Sequence, residues 1–177
     1  MKIYAETDRL ILRELMPEDI DGMFELDSNP EVHKYLGKKP VKTKEEVFKN
    51  IENVRQQYIT HKIGRWAAVE KASGEFIGWS GLKMNVEQPM NGHSNFYDVG
   101  YRLIPKYWGK GYATESGKAA VDYGFNKLDI DTIYGIAEVE NKASRNALEK
   151  IGLQYITDFM YEPENLVLSW YEIKKSL

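Results

Sequence analysis

Apolar and polar positions recur along this chain with two different periods, and each change of period marks an element. Residues 9–13 alternate with Leu10 and Leu12 on one side, which predicts a first strand. Pro17 then suits a first helical turn, with Glu18 and Asp19 well placed at the positive end of a helix. A short second helix is expected over residues 30–36. Thr43 precedes Glu46 at the spacing of a capping box, and Val47, Ile51, Val54 and Tyr58 recur at helical intervals. Residues 65–70 and 75–83 read as a hairpin joined through Ala72-Ser73-Gly74, and 96–104 as the next strand. Residues 112–128 read as a helix whose Ala113, Gly117, Ala120 and Gly124 fall on one stripe. An interior glycine costs a helix about 1 kcal/mol relative to alanine, so two of them imply close packing on a sheet. A strand over 132–139, a helix over 143–150 ended by Gly152, and an antiparallel pair over 154–161 and 165–173 complete the pattern.

Strands first, one crossover helix in the middle and another near the end imply an α+β fold with a mixed, mostly antiparallel, twisted sheet. The 177 residues read as a single domain, 1–177, without repeats, low-complexity tracts or linkers. With 42% hydrophobic and 29% charged residues, the composition is that of a globular protein rather than a disordered one. No uncharged apolar run approaches the roughly 20 residues that span a bilayer. Charges appear early, at Glu6, Asp8 and Arg9, so no signal peptide is expected, and with no cysteine the chain is expected to be cytoplasmic. The same absence of cysteine rules out a cysteinyl acyl-enzyme. A net charge of −3 gives no basic face for nucleic acid. Lys38, Lys39, Lys42 and Lys44 read as a solvated loop, and His33, His61 and His93 show no metal-ligand spacing.

The strand-like run ending at Pro105 leads into Tyr107-Trp108-Gly109-Lys110-Gly111-Tyr112-Ala113-Thr114-Glu115-Ser116, a glycine turn that opens a helix. Glycines let backbone approach a diphosphate closely, and the first N–H groups of the helix point at it with the positive end of the dipole. A Walker loop and a dinucleotide fingerprint are both absent. Downstream, the strand over 132–139 leads into Glu140-Asn141-Lys142-Ala143-Ser144-Arg145-Asn146-Ala147-Leu148-Glu149-Lys150-Ile151-Gly152-Leu153.

These two segments, in this order, resemble the GNAT superfamily of N-acetyltransferases. Tyr-Trp-Gly-Lys-Gly-Tyr-Ala-Thr-Glu, the opening Thr7-Asp8-Arg9-Leu10-Ile11-Leu12-Arg13 and Pro17-Glu18-Asp19 resemble its RimJ/RimL-like branch of ribosomal-protein alanine N-acetyltransferases. Trp108 stands where the superfamily pattern has Arg or Gln, as is usual in that branch. The resemblance implies the GNAT fold, a sheet of about seven strands flanked by about four helices. It implies acetyl transfer from acetyl-CoA, with no metal, to an amine. The acceptor is a protein N-terminus such as that of a ribosomal protein, or a small metabolite or drug amine. The alternative is a non-catalytic CoA-binding regulator. No membrane or nucleic-acid partner is expected, and the chain is a monomer or a homodimer.

Residue by residue, the resemblance implies that Gly109, Lys110, Gly111, Tyr112, Ala113 and Thr114 hold the CoA pyrophosphate through backbone N–H groups. Arg102, Leu103 and Ile104 would pair their backbone with pantetheine, and a free N–H near Leu103 would polarise the thioester carbonyl. Asn141 serves as helix cap or as pantetheine anchor. Many relatives carry a tyrosine acid seven positions after that Asn, but here Leu148 occupies the place, leaving Ser144 as a neutral donor to the sulfur. Asp98 and Glu138 are the candidates for the general base that deprotonates the amine. His33 and Trp79 are the candidates for lining the acceptor pocket, and 85–95 for a recognition loop over it. The other tryptophans are expected in the core.

Overall fold

The computed structural model describes residues 1–35 and 39–177. In chain order the elements are β1 (Ile3–Glu6), β2 (Leu10–Arg13), α1 (Ile20–Asp27), α2 (Lys44–Thr60), β3 (Trp66–Glu70), β4 (Phe76–Asn85), β5 (Phe96–Leu103), α3 (Tyr112–Lys127), β6 (Thr132–Glu138), α4 (Lys142–Ile151), β7 (Gln154–Tyr161) and β8 (Leu166–Lys174). The eight strands form one sheet in the order β1-β2-β3-β4-β5-β6-β8-β7. Every neighbouring pair is antiparallel except β5–β6. This is the α+β GNAT fold, with one strand more than the seven expected.

The extra strand is β1. Ile3, Tyr4 and Ala5 are consecutive apolar residues without alternation, so nothing local marks them as a strand. Pairing with β2 makes them one, and Tyr4 stacks on buried Trp66 at 5.0 Å, with Tyr123 edge-on to the indole at 5.2 Å. The helix expected over 30–36 is a single 3-10 turn, Val32–Lys34, too short for i→i+4 bonding. Leu36, the last residue of that expectation, and Lys38 of the lysine cluster lie outside the described residues. Pro17–Asp19 is likewise a 3-10 turn, and it feeds α1. Buried Asp19 receives both guanidinium nitrogens of Arg13, at 2.7 and 2.8 Å, so this turn is tied to β2. Thr43 caps α2 by accepting from the Glu46 N–H at 3.3 Å.

Pleat alternation separates two faces of the central strands. A Cβ on Gly124 of α3 would lie 2.7 Å from Leu82 of β4 and 2.8 Å from Ile133 of β6, so α3 lies close on one face through its small-residue stripe. Tyr101 points to that face, where its hydroxyl reaches α4. Asp98, Gly100 and Arg102 alternate with it and point to the other face, where Arg102 meets Asp27 at the end of α1. One face thus carries α3 and α4, and the other carries α1. Among the described residues, no helix is long and apolar enough to cross a membrane.

The seating of α3 is testable. Gly124→Val forces branched volume against Leu82 and Ile133 and is expected to destabilise the protein by about 1–3 kcal/mol. Urea unfolding should show a lowered midpoint at unchanged m-value. A parental midpoint would mean that α3 stands off the sheet.

Candidate functional site

β5 and β6 bond to each other through a single bridge, Asp98 with Tyr134. Their outer edges are fully paired, β5 with β4 from Phe96 to Leu103 and β6 with β8 from Thr132 to Glu138. From Gly100 onward the two inner edges therefore face each other across a wedge-shaped split in the middle of the sheet. The Ile104 N–H donates to Ile77 across β4 at 2.9 Å, and the Trp108 indole donates to the Leu103 carbonyl at 2.8 Å. By alternation the Leu103 N–H points into the split, and the Arg102 backbone, like that of Ile104, is turned toward β4. Of the three residues expected to offer backbone to pantetheine, Leu103 alone points at the opening, and its carbonyl is already bonded. Trp108 is not a core residue. It is 47% exposed and braces the strand end through its N–H.

At the wide end of the split the chain turns through Gly109 and Gly111, with φ of 71° and 82°. Only glycine takes both conformations at no steric cost, and nothing lies within 4 Å of a Cβ placed on Gly109. The N–H groups from Gly109 to Thr114 have no acceptor among the described residues. They sit at the start of α3, a 16-residue helix, so unpaired donors and helix dipole point the same way. A cavity of about 570 Å³ adjoins them, lined by Thr7, Asp8, Gly111, Thr114, Glu115, Lys118 and Lys150. Two lysines and a row of free amides suit a phosphate-rich ligand.

The turn is held from two sides. Arg9 donates to Glu115 at 2.7 Å through Nε and to the Lys110 carbonyl at 2.8 Å, and its guanidinium stacks over the Tyr112 ring at 4.3 Å. The Thr7 hydroxyl donates to the other Glu115 oxygen at 2.6 Å. On the far side Glu70 accepts from the Tyr112 hydroxyl, and Glu75 accepts from that of Tyr107 at 2.5 Å. Burial acts to raise the Glu115 carboxyl, but the bonds from Thr7 and Arg9 outweigh it and hold the group below the usual range. The Lys110 ammonium lies over the Tyr107 ring at 5.6 Å.

Across the split, Asn141 caps α4 by accepting from the Ser144 N–H at 3.2 Å. The Tyr101 hydroxyl donates to the Ser144 carbonyl at 2.9 Å and lies 3.3 Å from its Oγ. Burial pushes the Tyr101 phenol up to about 12. Leu148 is buried in the core.

The face bearing α1 collects the remaining candidates. Asp98 is buried, and donors hold both of its carboxylate oxygens: Arg65 at 2.8 Å and Asn85 at 2.7 Å. Arg65 also donates to the carbonyls of Gly81 and Asp98, and it lies where a Cβ on Gly100 would be, 2.7 Å from Nη2. Glu138 is buried at the end of β6, on the opposite bank of the split. The guanidinium carbons of Arg65 and Arg102 lie over the Trp79 ring, 5.4 and 5.5 Å from its centroid. His33 is buried beside Asp27 and Arg102. The loop before β5 folds back on itself through Met90 and His93, and His93 stacks on Trp170 at 4.8 Å.

Sequence reading missed Arg65, Asp27 and Tyr101, which lie in no motif. Thr7, Arg9 and Glu115 stood inside quoted motifs, but nothing local showed that they bond to each other.

The profile of the Acetyltransferase (GNAT) domain matches residues 9–154. The uncharacterized N-acetyltransferase YoaA of Bacillus subtilis is 30% identical over 160 residues, 89% of this chain and 88% of its own length. The spermidine N(1)-acetyltransferase of Escherichia coli is 30% identical over 151 residues, 85% of this chain and 76% of its own. Among solved structures, RimL, a ribosomal L7/L12 α-N-protein acetyltransferase in complex with coenzyme A, superposes with a TM-score of 0.81 at 18% identity over 98% of both chains.

Glu115 gives the clamp a pH signature. A carboxyl depressed on folding stabilises above its unfolded pKa, about 4.3, and loses that contribution as pH falls through the folded value. Glu115→Gln is expected to lower the thermal midpoint at pH 7, and the gap to the parent should close on acidification below about 4. A gap unchanged by pH would mean that the ion pair does not hold the turn.

Proposed function

The chain belongs to the GNAT acetyltransferase family, and on that premise we propose that this N-acetyltransferase moves the acetyl group of acetyl-CoA to the amino terminus of a protein, by direct attack in a ternary complex. The observation that carries the reading is the row of unpaired N–H groups from Gly109 to Thr114 at the open end of the β5–β6 split. The resemblance of the structure to RimL supports a protein acceptor. The spermidine N(1)-acetyltransferase relative supports a second reading, in which the acceptor is a small polyamine.

In this reading the backbone from Gly109 to Thr114 holds the pyrophosphate, with Lys118 and Lys150 nearby as counter-charges. The unpaired edge of β5 runs alongside pantetheine, and the Leu103 N–H stabilises the oxyanion that forms on the thioester carbonyl. Asn141 fixes the start of α4 beside it. Acetyl-CoA supplies the activated acyl group and a thiol leaving group. A thiol of pKa about 8.5 departs as thiolate with little assistance, so the place taken by Leu148 needs no acid. Ser144 and the Tyr101 hydroxyl are neutral groups at that end of the split.

The two carboxylates take different roles. Asp98, held by Arg65 and Asn85, acts as a positioning residue at the vertex of the split. Glu138, on the opposite strand, accepts the ammonium proton directly or through a water, after which the neutral amine attacks.

A thiol-release assay with peptides bearing free N-termini, the same peptides N-acetylated, and polyamines tests the function and the acceptor class together. Gly111→Asp places a carboxylate against the free amides and should abolish acetyl-CoA binding by calorimetry. Unchanged affinity in the folded variant removes the proposed cofactor site. Initial rates with both substrates varied should give intersecting lines, whereas parallel lines with a chaseable acetyl adduct would require a covalent route. Glu138→Gln is expected to lose roughly 10²–10⁴-fold in turnover, with a deficit that shrinks as pH rises toward the amine's own pKa. A loss within about twofold places the proton acceptor elsewhere.

A further inference from the structure

The cavity beside the glycine turn extends past the free amides. From Gly111 and Thr114 its lining continues one turn along α3 to Lys118 and crosses to Lys150, near the end of α4. Lys118 stands about 10 Å along the helix axis from Gly111, at 1.5 Å per residue. Gly117 brings the second lysine to the same cavity. It leaves no room for a Cβ beside Ile151, so the end of α4 packs directly on the first turns of α3. Lys118 and Lys150 are the chain neighbours of the two residues in that contact.

Among the described residues neither ammonium has an ion pair or a hydrogen bond. The two carboxylates on the lining do not answer them. Glu115 is occupied by Thr7 and Arg9. Asp8, in the turn between β1 and β2, pairs with neither lysine, and the two ammoniums outnumber it. Like charges gathered on one cavity repel, and an anion between them removes that cost.

The diphosphate of the proposed cosubstrate is already provided for. The N–H groups from Gly109 to Thr114 and the dipole of α3 meet it at the turn. Acetyl-CoA carries a third phosphate, a monoester on the 3′ position of its ribose, one sugar away from the diphosphate. Its second pKa is about 6, so near neutral pH it is mostly a dianion. A dianion set apart from the diphosphate by a sugar matches two cations set apart from the amides by turns of helix. Lysine suits such a group, since a compact charge on a flexible stem needs no fixed fork geometry.

We infer that Lys118 and Lys150 form a separate subsite for the 3′-phosphate of CoA, through which the protein distinguishes CoA from dephospho-CoA. The inference rests on the acetyl-CoA reading and deepens it. The subsite contributes to cofactor affinity and takes no part in acyl transfer.

Calorimetry of the parent protein with CoA and with dephospho-CoA reads the subsite directly, because the second ligand keeps the diphosphate and pantetheine and lacks only the 3′-phosphate. CoA should bind about tenfold more tightly, the worth of two solvent-exposed ion pairs. The preference should grow as pH rises through about 6 and the monoester takes its second charge. Both lysines are exposed on helices, where alanine is a good helix former, and circular dichroism checks that the variants keep the parental helix content. Lys118→Ala and Lys150→Ala should each weaken CoA about threefold. The double variant should bind both ligands equally, at the affinity of the parent for dephospho-CoA, and arginine at both positions should keep the preference. Equal binding of the two ligands by the parent overturns the subsite and leaves the cofactor reading standing. Lysine variants that weaken both ligands alike overturn it as well, because the lysines then serve the diphosphate. A preference that survives in the double variant also overturns it, since other residues then read the 3′-phosphate. If the parent binds neither ligand, the acetyl-CoA reading itself fails, and the subsite with it.

Discussion

Two adjacent strands that bond at only one point govern this molecule. β5 and β6 meet at Asp98 and Tyr134 and then part, leaving main-chain groups of both unmatched in the middle of a sheet. Such an opening survives only if each strand is held from its other side, and both are, by unbroken ladders to β4 and β8. Its vertex is fixed as well. The Arg65 guanidinium ties the Asp98 side chain and main chain to Gly81 of β4, filling the space that Gly100 leaves for want of a side chain. The open end is spanned on the other face by the Tyr101 hydroxyl, which reaches α4.

Everything proposed for the cofactor follows from where this opening points. Its wide end lies against the start of α3, so unpaired strand amides and unpaired helix amides share one channel. The glycine turn between them has little rigidity of its own. It takes its shape from Arg9, Thr7 and Glu115 on one side and from Glu70 and Glu75 on the other. Residues near the first strands thereby set the geometry of a turn that lies far along the chain.

The fold was largely legible because its strong signals are local. Gln154–Tyr161, read as half of a closing antiparallel pair, is a strand with those bounds to the residue. The Thr43 cap and the helix over 44–60 follow from a capping spacing and one apolar stripe. β1 was illegible because it is a strand by virtue of its partner and of Tyr4 on Trp66. The same division runs through the site. The glycine turn and Asn141 are sequence-local, and the structure puts both beside the split. The setting of Asp98 was not, since the two donors that hold its carboxylate oxygens lie 33 and 13 residues away. Asp27, Arg65 and Arg102 come from three separate parts of the chain, and no spacing rule links them.

The strand order also sets the sequence in which the cleft can be completed. β1 to β5 stand in the sheet in chain order, each beside its predecessor, so this half closes as the chain emerges. The other half cannot, because β8 lies inside the sheet, between β6 and β7. Of the eight strands, the last in chain order is therefore the one that holds the outer edge of β6. Until it pairs, the bridge to β5 is the one strand pairing that β6 has, and the helices packed on its face are its other support. Formation of the cleft thus waits on β8, although β5, the glycine turn and β6 all precede it in the chain. A refolding experiment should find the two banks in separate cooperative units, with the boundary running along the split.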